Sequence, residues 1–291
     1  MMLKYALFLG CLIPNRYPQI EAASRFSFRK LGVDVEDMEG VGCCPDPVGI
    51  RSIDERTWLL LAARNLCIGE EMGKNILTLC SGCYETLNSV NVMLKAREEL
   101  RSDVNSELAK IGKKFKGEIE VRNLLQALED DVGVENIRRL TVRPLNGLRV
   151  ASHYGCHLTK PSSLARFDDP EKPSVLDRLI SAVGAESVPY LNKLDCCGVG
   201  LSSIDSDTST KILEKKLTDI QNAKAECMAL VCPFCYGRYD LGQVQLARQR
   251  GVRFDIPVLY YSQLLAYALG AEPDSIGLQF NYVQPKMLLD R

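Results

Sequence analysis

Ten of the twelve cysteines in this 291-residue chain fall into two sets with the same internal order. Cys11, the vicinal pair Cys43-Cys44 and the C-x2-C pair Cys80 and Cys83 form the first set. Cys156, Cys196-Cys197 and the pair Cys232 and Cys235 form the second. The spacings are C-x31-CC-x35-C-x2-C and C-x39-CC-x34-C-x2-C, and matching positions are offset by 145 to 153 residues. Thiolates are soft ligands, and a C-x2-C pair opening a helix turns both sulfurs toward one centre while helix N-terminal amides steady their charge. The repeat therefore predicts two metal centres held by sulfur.

Five thiolates exceed what a simple centre takes. Tetrahedral zinc and a cubane iron-sulfur cluster each use four. Either one cysteine of each set is a spectator, or one thiolate bridges two irons in a cluster that is not a simple cube. Adjacent residues of a strand point to opposite faces, so Cys43-Cys44 and Cys196-Cys197 are expected in turns where both sulfurs reach one centre. Pro45 and Gly198 suit such turns, and Gly198-Val199-Gly200 would let backbone N–H groups approach inorganic sulfide.

The elements that must carry these residues repeat as well. ALFLGC matches VASHYGC, VGCC matches LDCC, and LTLCSGCYETL matches LVCPFCYGRYD, the signature of an internal duplication. Apolar runs of strand length at 5–10, 76–79, 149–152 and 229–231 lead into cysteines. Helical periodicity covers 56–73, 85–115, 207–224 and 238–250. The expected fold class is α/β: two pseudo-twofold-related halves, each a small parallel sheet flanked by helices, with cysteines at the carboxyl ends of the strands. The boundary is placed in VRPLNG, giving an N-terminal half at 1–147 and a C-terminal half at 148–291. A charged stretch at about 84–140 reads as an inserted helical region with a solvated face.

Composition narrows the function classes. With 36 basic and 37 acidic residues the net charge is -1, unlike the basic balance of a nucleic-acid binder. The longest uncharged stretch, 256–271, is too short to cross a bilayer and contains Pro257. The opening MMLKYALFLGC reads as a first strand because its pattern recurs at 149–156. Patterned cysteines in a chain long enough to build its own core point to metal in a reducing compartment, so the cytoplasm is the expected location.

The repeated spacing closely resembles that of the CCG-domain proteins, and nearly the whole chain resembles the B subunits of methanogen heterodisulfide reductases. The resemblance implies two non-cubane [4Fe-4S] clusters. Cys11, Cys43, Cys44, Cys80 and Cys83 would hold one; Cys156, Cys196, Cys197, Cys232 and Cys235 would hold the other. In the first half Pro45 stands where the family name has glycine. The implied reaction is two-electron reduction of the coenzyme M–coenzyme B disulfide to two thiols during methanogenesis, with the disulfide held between clusters that each supply one electron. Implied partners are the cubane-cluster subunit of heterodisulfide reductase, its flavin subunit, and a hydrogenase or formate dehydrogenase module. No G-x-G-x-x-G, Walker loop or ferredoxin-type cysteine run is present in this chain, so electrons must arrive from another protein.

Two thiolate products need two protons. His153 and His157, the only histidines, flank Cys156 and are the candidate catalytic donors. The substrate of the family carries sulfonate, phosphate and carboxylate groups, for which Lys160 and Arg238 are the nearest cations in sequence. Tyr84 and Tyr236 follow the C-x2-C pairs at equivalent places and are either helix-start packing or substrate contacts. Cys67 and Cys227 lie outside the repeat and read as inert buried thiols. The alternative function is an iron-sulfur electron-transfer subunit feeding a quinone or other acceptor, as in glycolate or lactate oxidase-type complexes; a structural zinc protein is a third reading.

Overall fold

A computed structural model describes residues 3–290. The first half runs β1 (Leu3–Phe8), α1 (Leu12–Arg16), α2 (Pro18–Leu31), β2 (Val33–Asp37), α3 (Gly49–Ile53), α4 (Glu55–Glu71) and β3 (Ile76–Thr78). It continues through α5 (Ser81–Ala96), α6 (Glu98–Leu108), β4 (Val121–Asn123), α7 (Leu124–Gln126) and α8 (Val134–Leu140). The second half runs β5 (Arg149–His153), α9 (Cys156–Thr159), α10 (Ser162–Ala165), α11 (Val175–Ala182), β6 (Glu186–Ser187) and α12 (Ser206–Asn222). It closes with β7 (Cys227–Leu230), α13 (Pro233–Arg250), β8 (Val258–Tyr260), α14 (Tyr261–Ala268) and α15 (Lys286–Leu289).

Each half builds a four-stranded parallel sheet, in the orders β2-β1-β3-β4 and β6-β5-β7-β8. The two orders are the same topology drawn twice. The central strands β3 and β7 are buried along their length, as parallel strands covered on both faces must be. One continuous hydrophobic core runs through both halves, with Phe8, Trp58, Leu87, Met228, Tyr239 and Tyr260 fully buried.

Helix starts are also duplicated. Asp54 caps α4 by accepting from the Thr57 N–H at 3.0 Å, and Asp205 caps α12 by accepting from Thr208 N–H at 3.0 Å. Both capping aspartates close the tripeptide Ser-Ile-Asp, at 52–54 and 203–205.

The stretch at 84–140 differs from the expected purely helical insertion. Its helix breaks at Arg97, which is extended at φ -123° and ψ 99°, and β4 within it completes the first sheet as β8 completes the second. Between α5 and β4 the first half inserts α6 and a turn, where the second half passes from α13 to β8 without a helix.

The halves interlock. Tyr84 Oη donates to the Ala165 carbonyl at 2.6 Å, and Asn88 Nδ2 donates to the Leu164 carbonyl at 2.7 Å. In return, Gln19 Nε2 donates to Tyr236 Oη at 3.5 Å, Tyr260 Oη donates to the Leu79 carbonyl, and α14 packs along α2. Tyr84 and Tyr236, equivalent in the repeat, thus each bond to the opposite half.

Candidate functional site

The strand ends and helix starts gather all ten repeat cysteines into one line in which each thiol acts on the next. In the first half Cys11 and Cys43 lie 3.9 Å apart, and mutual influence then runs from Cys43 to Cys44, Cys44 to Cys83 and Cys83 to Cys80. The second half repeats the order as Cys156 to Cys196, Cys196 to Cys197, Cys197 to Cys235 and Cys235 to Cys232. Cys80 and Cys232 then meet across the boundary between halves. Each set has an outer end, with Cys11, Cys43 and Cys196 exposed and Cys156 partly so, and a buried floor made of its remaining three thiols.

Local structure explains these placements. Cys80 and Cys232 are the N-cap residues of α5 and α13, both extended and without a side-chain cap on the helix amides behind them, which leaves the positive helix end for thiolate charge. Gly10 and Gly155 precede the lone cysteines at φ +70° and +75°, a conformation natural to glycine. A Cβ at Gly10 would stand 2.8 Å from Cys83 Sγ, and one at Gly155 would stand 3.2 Å from Ser81 Oγ. Each lone cysteine reaches its set through a gap that a side chain would close.

The vicinal pairs sit in irregular loops tied to the neighbouring helices. Asn65 of α4 clasps the first loop, donating to the Cys43 carbonyl at 3.1 Å and accepting from the Gly42 N–H at 3.2 Å. The residue after each pair is held by its carbonyl: Thr86 Oγ1 donates to Pro45 O, and Ser209 Oγ donates to Gly198 O, both at 2.8 Å. Proline in place of glycine leaves this tie intact.

Mutual hydrogen bonding sorts the thiols by acidity. Cys43 and then Cys83 hold Cys44 well below the ordinary thiol range. Cys156 and then Cys197, with the Gly198 N–H at 3.3 Å, bring Cys196 down to about 2. The donors Cys43 and Cys156 are pushed up in consequence. Such thiols are ready metal ligands.

The remaining candidates are placed as follows. His157, partly buried on α9, lies in the field of the buried Glu85 carboxyl on α5, which Arg51 approaches at 3.5 Å. Burial raises the pKa of Glu85. His153 ends β5 and is 1% exposed; burial first, then Lys216, lowers its pKa to about 3. Lys160 is exposed at the end of α9. Arg238 turns inward, donating from Nη2 to the Ser209 carbonyl at 2.7 Å and hydroxyl at 2.9 Å, so its fork supports the second vicinal loop. Tyr84 and Tyr236 are buried, their hydroxyls bonded within the protein. Cys67 is buried on α4, and burial raises its pKa to about 12.

Sequence reasoning passed over Ser81, Glu85 and Tyr239. The Ser81 hydroxyl, both ring nitrogens of His153, Arg238 Nε and the Tyr239 hydroxyl are buried without a well-formed hydrogen bond, and all lie beside repeat cysteines. Buried polar atoms demand partners, so these groups frame a space for a polar, sulfur-bound guest. Among the described residues, no trio of His, Cys, Asp or Glu side chains closes tightly enough around one point to hold a single ion. The five-sulfur donor sets and the orphaned donors fit iron-sulfur clusters. Among the described residues no helix is long and apolar enough to cross a membrane.

Comparison with known proteins agrees with this donor chemistry. The family described as a cysteine-rich domain, CCG, matches residues 5–88 and 150–239. The chain is 44% identical over 285 residues, 97% of its length and 95% of the relative's, to the B subunit of the Ferredoxin/F(420)H(2)-dependent CoB-CoM heterodisulfide reductase of Methanosarcina acetivorans. It is 36% identical, over 95% of its length and 94% of the relative's, to a protein of Archaeoglobus profundus described as like the B subunit of heterodisulfide reductase. A hypothetical protein from Helicobacter pylori shares the fold at a TM-score of 0.78 and 13% identity; the match takes in 97% of this chain and 52% of that one.

Proposed function

Because this chain belongs to the CCG cysteine-rich family, we propose that it is the disulfide-reducing subunit of a heterodisulfide reductase, acting on the mixed disulfide of coenzyme M and coenzyme B. Cys11, Cys43, Cys44, Cys80 and Cys83 hold one non-cubane [4Fe-4S] cluster, and Cys156, Cys196, Cys197, Cys232 and Cys235 hold the second. The observation that carries this reading is the mirrored line of ten sulfurs, joined where Cys80 meets Cys232. Two one-electron centres with adjoining walls match a bond whose cleavage needs two electrons.

When bound, the clusters supply one electron each. The chain does the rest. The N-termini of α5 and α13 hold thiolate charge next to Cys80 and Cys232, and the buried floors exclude water from the inner faces. The exposed ends at Cys11, Cys43 and Cys196 leave the sites open to a disulfide. His157, with Glu85 behind it, holds and delivers protons to the leaving thiolates from the junction of α9 and α5. Lys160 lies on the same segment and meets the acidic groups of the substrate. Proton delivery rests with His157, since His153 is enclosed.

The protein works within a multi-subunit heterodisulfide reductase. It takes electrons from a cubane-cluster subunit, and ultimately from a flavin subunit that is coupled to a hydrogenase or formate dehydrogenase. The test is anaerobic iron and sulfide analysis followed by a single turnover of the reduced protein with the heterodisulfide. About eight irons per chain and release of both thiols support the proposal. Zinc without sulfide, or clusters that pass electrons to a quinone and ignore the disulfide, would overturn it.

A further inference from the structure

The two halves share a backbone plan, but the residues surrounding the two sulfur sets differ in one electrical direction. Phe8 and His153 occupy the same place, the last residue of the strand leading to the lone cysteine, and both are buried. The Phe8 ring lies near Gly10 in the first pocket. His153 instead sets two polar ring nitrogens, without protein partners, beside Cys196 and Cys232.

The same exchange recurs on the helices. One turn after the C-x2-C pair stands Leu87 in the first half and Tyr239 in the second. Both are fully buried, and the Tyr239 hydroxyl has no partner while lying in the field of Cys197 and Cys235. His153 and Tyr239 meet edge to face, with ring centroids 5.0 Å apart. Thr86 is replaced by Arg238, whose charge acts on Cys197.

Eleven residues into α4 and α12, counted from the capping aspartates, Asn65 is replaced by Lys216. Lys216 is buried, donates to the carbonyls of Asn192 and Lys193, and acts on Cys235 and Cys197. Asp195, which Lys215 approaches at 3.3 Å, and Asp219, which accepts from Asn192 at 2.6 Å, offset part of its charge. The first pocket instead carries carboxyls, one of which, Glu85, has Arg51 at 3.5 Å. Glu85, buried beside Cys44, stands where the second half has Gly237, and Asp46 also acts on Cys44.

Hydrogen bonds to cluster sulfurs and nearby positive charge stabilise the reduced, more negative form; acids do the reverse. Resting on the two-cluster reading above, we propose that the sites are electrically unequal: His153, Tyr239, Arg238 and Lys216 make the second set the electron sink. One electron entering from the partner protein settles at the second site, and the first site is reduced only at lower potential. The duplicated centres therefore have distinct roles, a storage site and a strongly reducing one.

The experiment is an anaerobic potentiometric titration with dithionite as reductant, following the two cluster signals by electron paramagnetic resonance, with iron counted on the same sample. Native protein should show two separated midpoints. Tyr239→Phe removes only a hydroxyl that bonds to nothing in the protein, and it should lower the higher midpoint while leaving the other unmoved. His153→Phe, which installs the residue of the first half, should lower it further, with about a tenfold smaller reduced-to-oxidised ratio at fixed potential, equal to about 59 mV for one electron. Coincident midpoints in the native protein would overturn the proposal, as would Tyr239→Phe protein with full iron and neither midpoint shifted. Protein without iron clusters would overturn the two-cluster reading itself.

Discussion

Cys80 and Cys232, 152 residues apart in the chain, stand beside each other and shift each other's ionisation where the N-terminus of α5 approaches that of α13. Beside them the Ser81 N–H donates to the Val231 carbonyl at 3.3 Å. The innermost cysteine of each set is thus part of the wall of the other.

The gap beside Gly10 gives the sharpest test of the first site. Gly10→Ala places a methyl group 2.8 Å from Cys83 Sγ, closer than a side-chain carbon can sit without something shifting. The protein should keep about half its iron, measured with the visible absorbance of anaerobic samples. Gly40 has a similar φ of +72° with nothing within 4 Å of the added carbon. Gly40→Ala should therefore lose some stability to backbone strain and no iron.

Removing one link between the halves should weaken the whole molecule. Tyr84→Phe deletes the bond to Ala165 O and strands a buried carbonyl, a loss of about 1–3 kcal/mol. A lower midpoint in chemical denaturation, with one transition at unchanged slope, is the expected result.

Asp240 predicts a pH dependence of stability. Burial raises its pKa to about 6, against the pull of hydrogen bonds from the Tyr282 and Val283 N–H groups. The unfolded value is near 3.9, so between about pH 4 and pH 6 the folded state binds more protons than the unfolded one. Its contribution to stability must therefore fall as pH rises through that window and level off above it. Asp240→Asn should flatten this part of the profile, read as denaturation midpoint against pH in parallel with the native protein.

His157→Gln separates proton delivery from electron storage. Iron content and both midpoints should match the native protein, while disulfide reduction slows by about a hundredfold or more. A rate that keeps its native pH profile in this variant would remove His157 from the reaction.

The repeat made much of the fold legible. Strand ends, helix starts and the order of cysteines follow from local pattern, because a parallel strand leading to a loop and helix leaves the same mark each time it occurs. The break at Arg97 left none, since neither glycine nor proline marks it and charge continues through both helices. β4 is three residues whose identity as a strand depends on pairing with β3. Arg238 shows the same limit within the site. Proximity in sequence to Cys235 suggested a substrate cation, while its direction depends on Ser209, 29 residues earlier on another helix. Glu85 and His157 belong to different halves and become neighbours only through the packing of α5 on α9.

Fusion of the halves has a consequence of its own. Two identical protomers related by a twofold axis must carry the same residue at both copies of every position. A chain that contains both copies is free of that rule, and Phe8 opposite His153, or Leu87 opposite Tyr239, is a difference that no homodimer of this half could express. Covalent linkage here does more than hold two centres together: it allows each to acquire its own identity while the frame that aligns them stays symmetric.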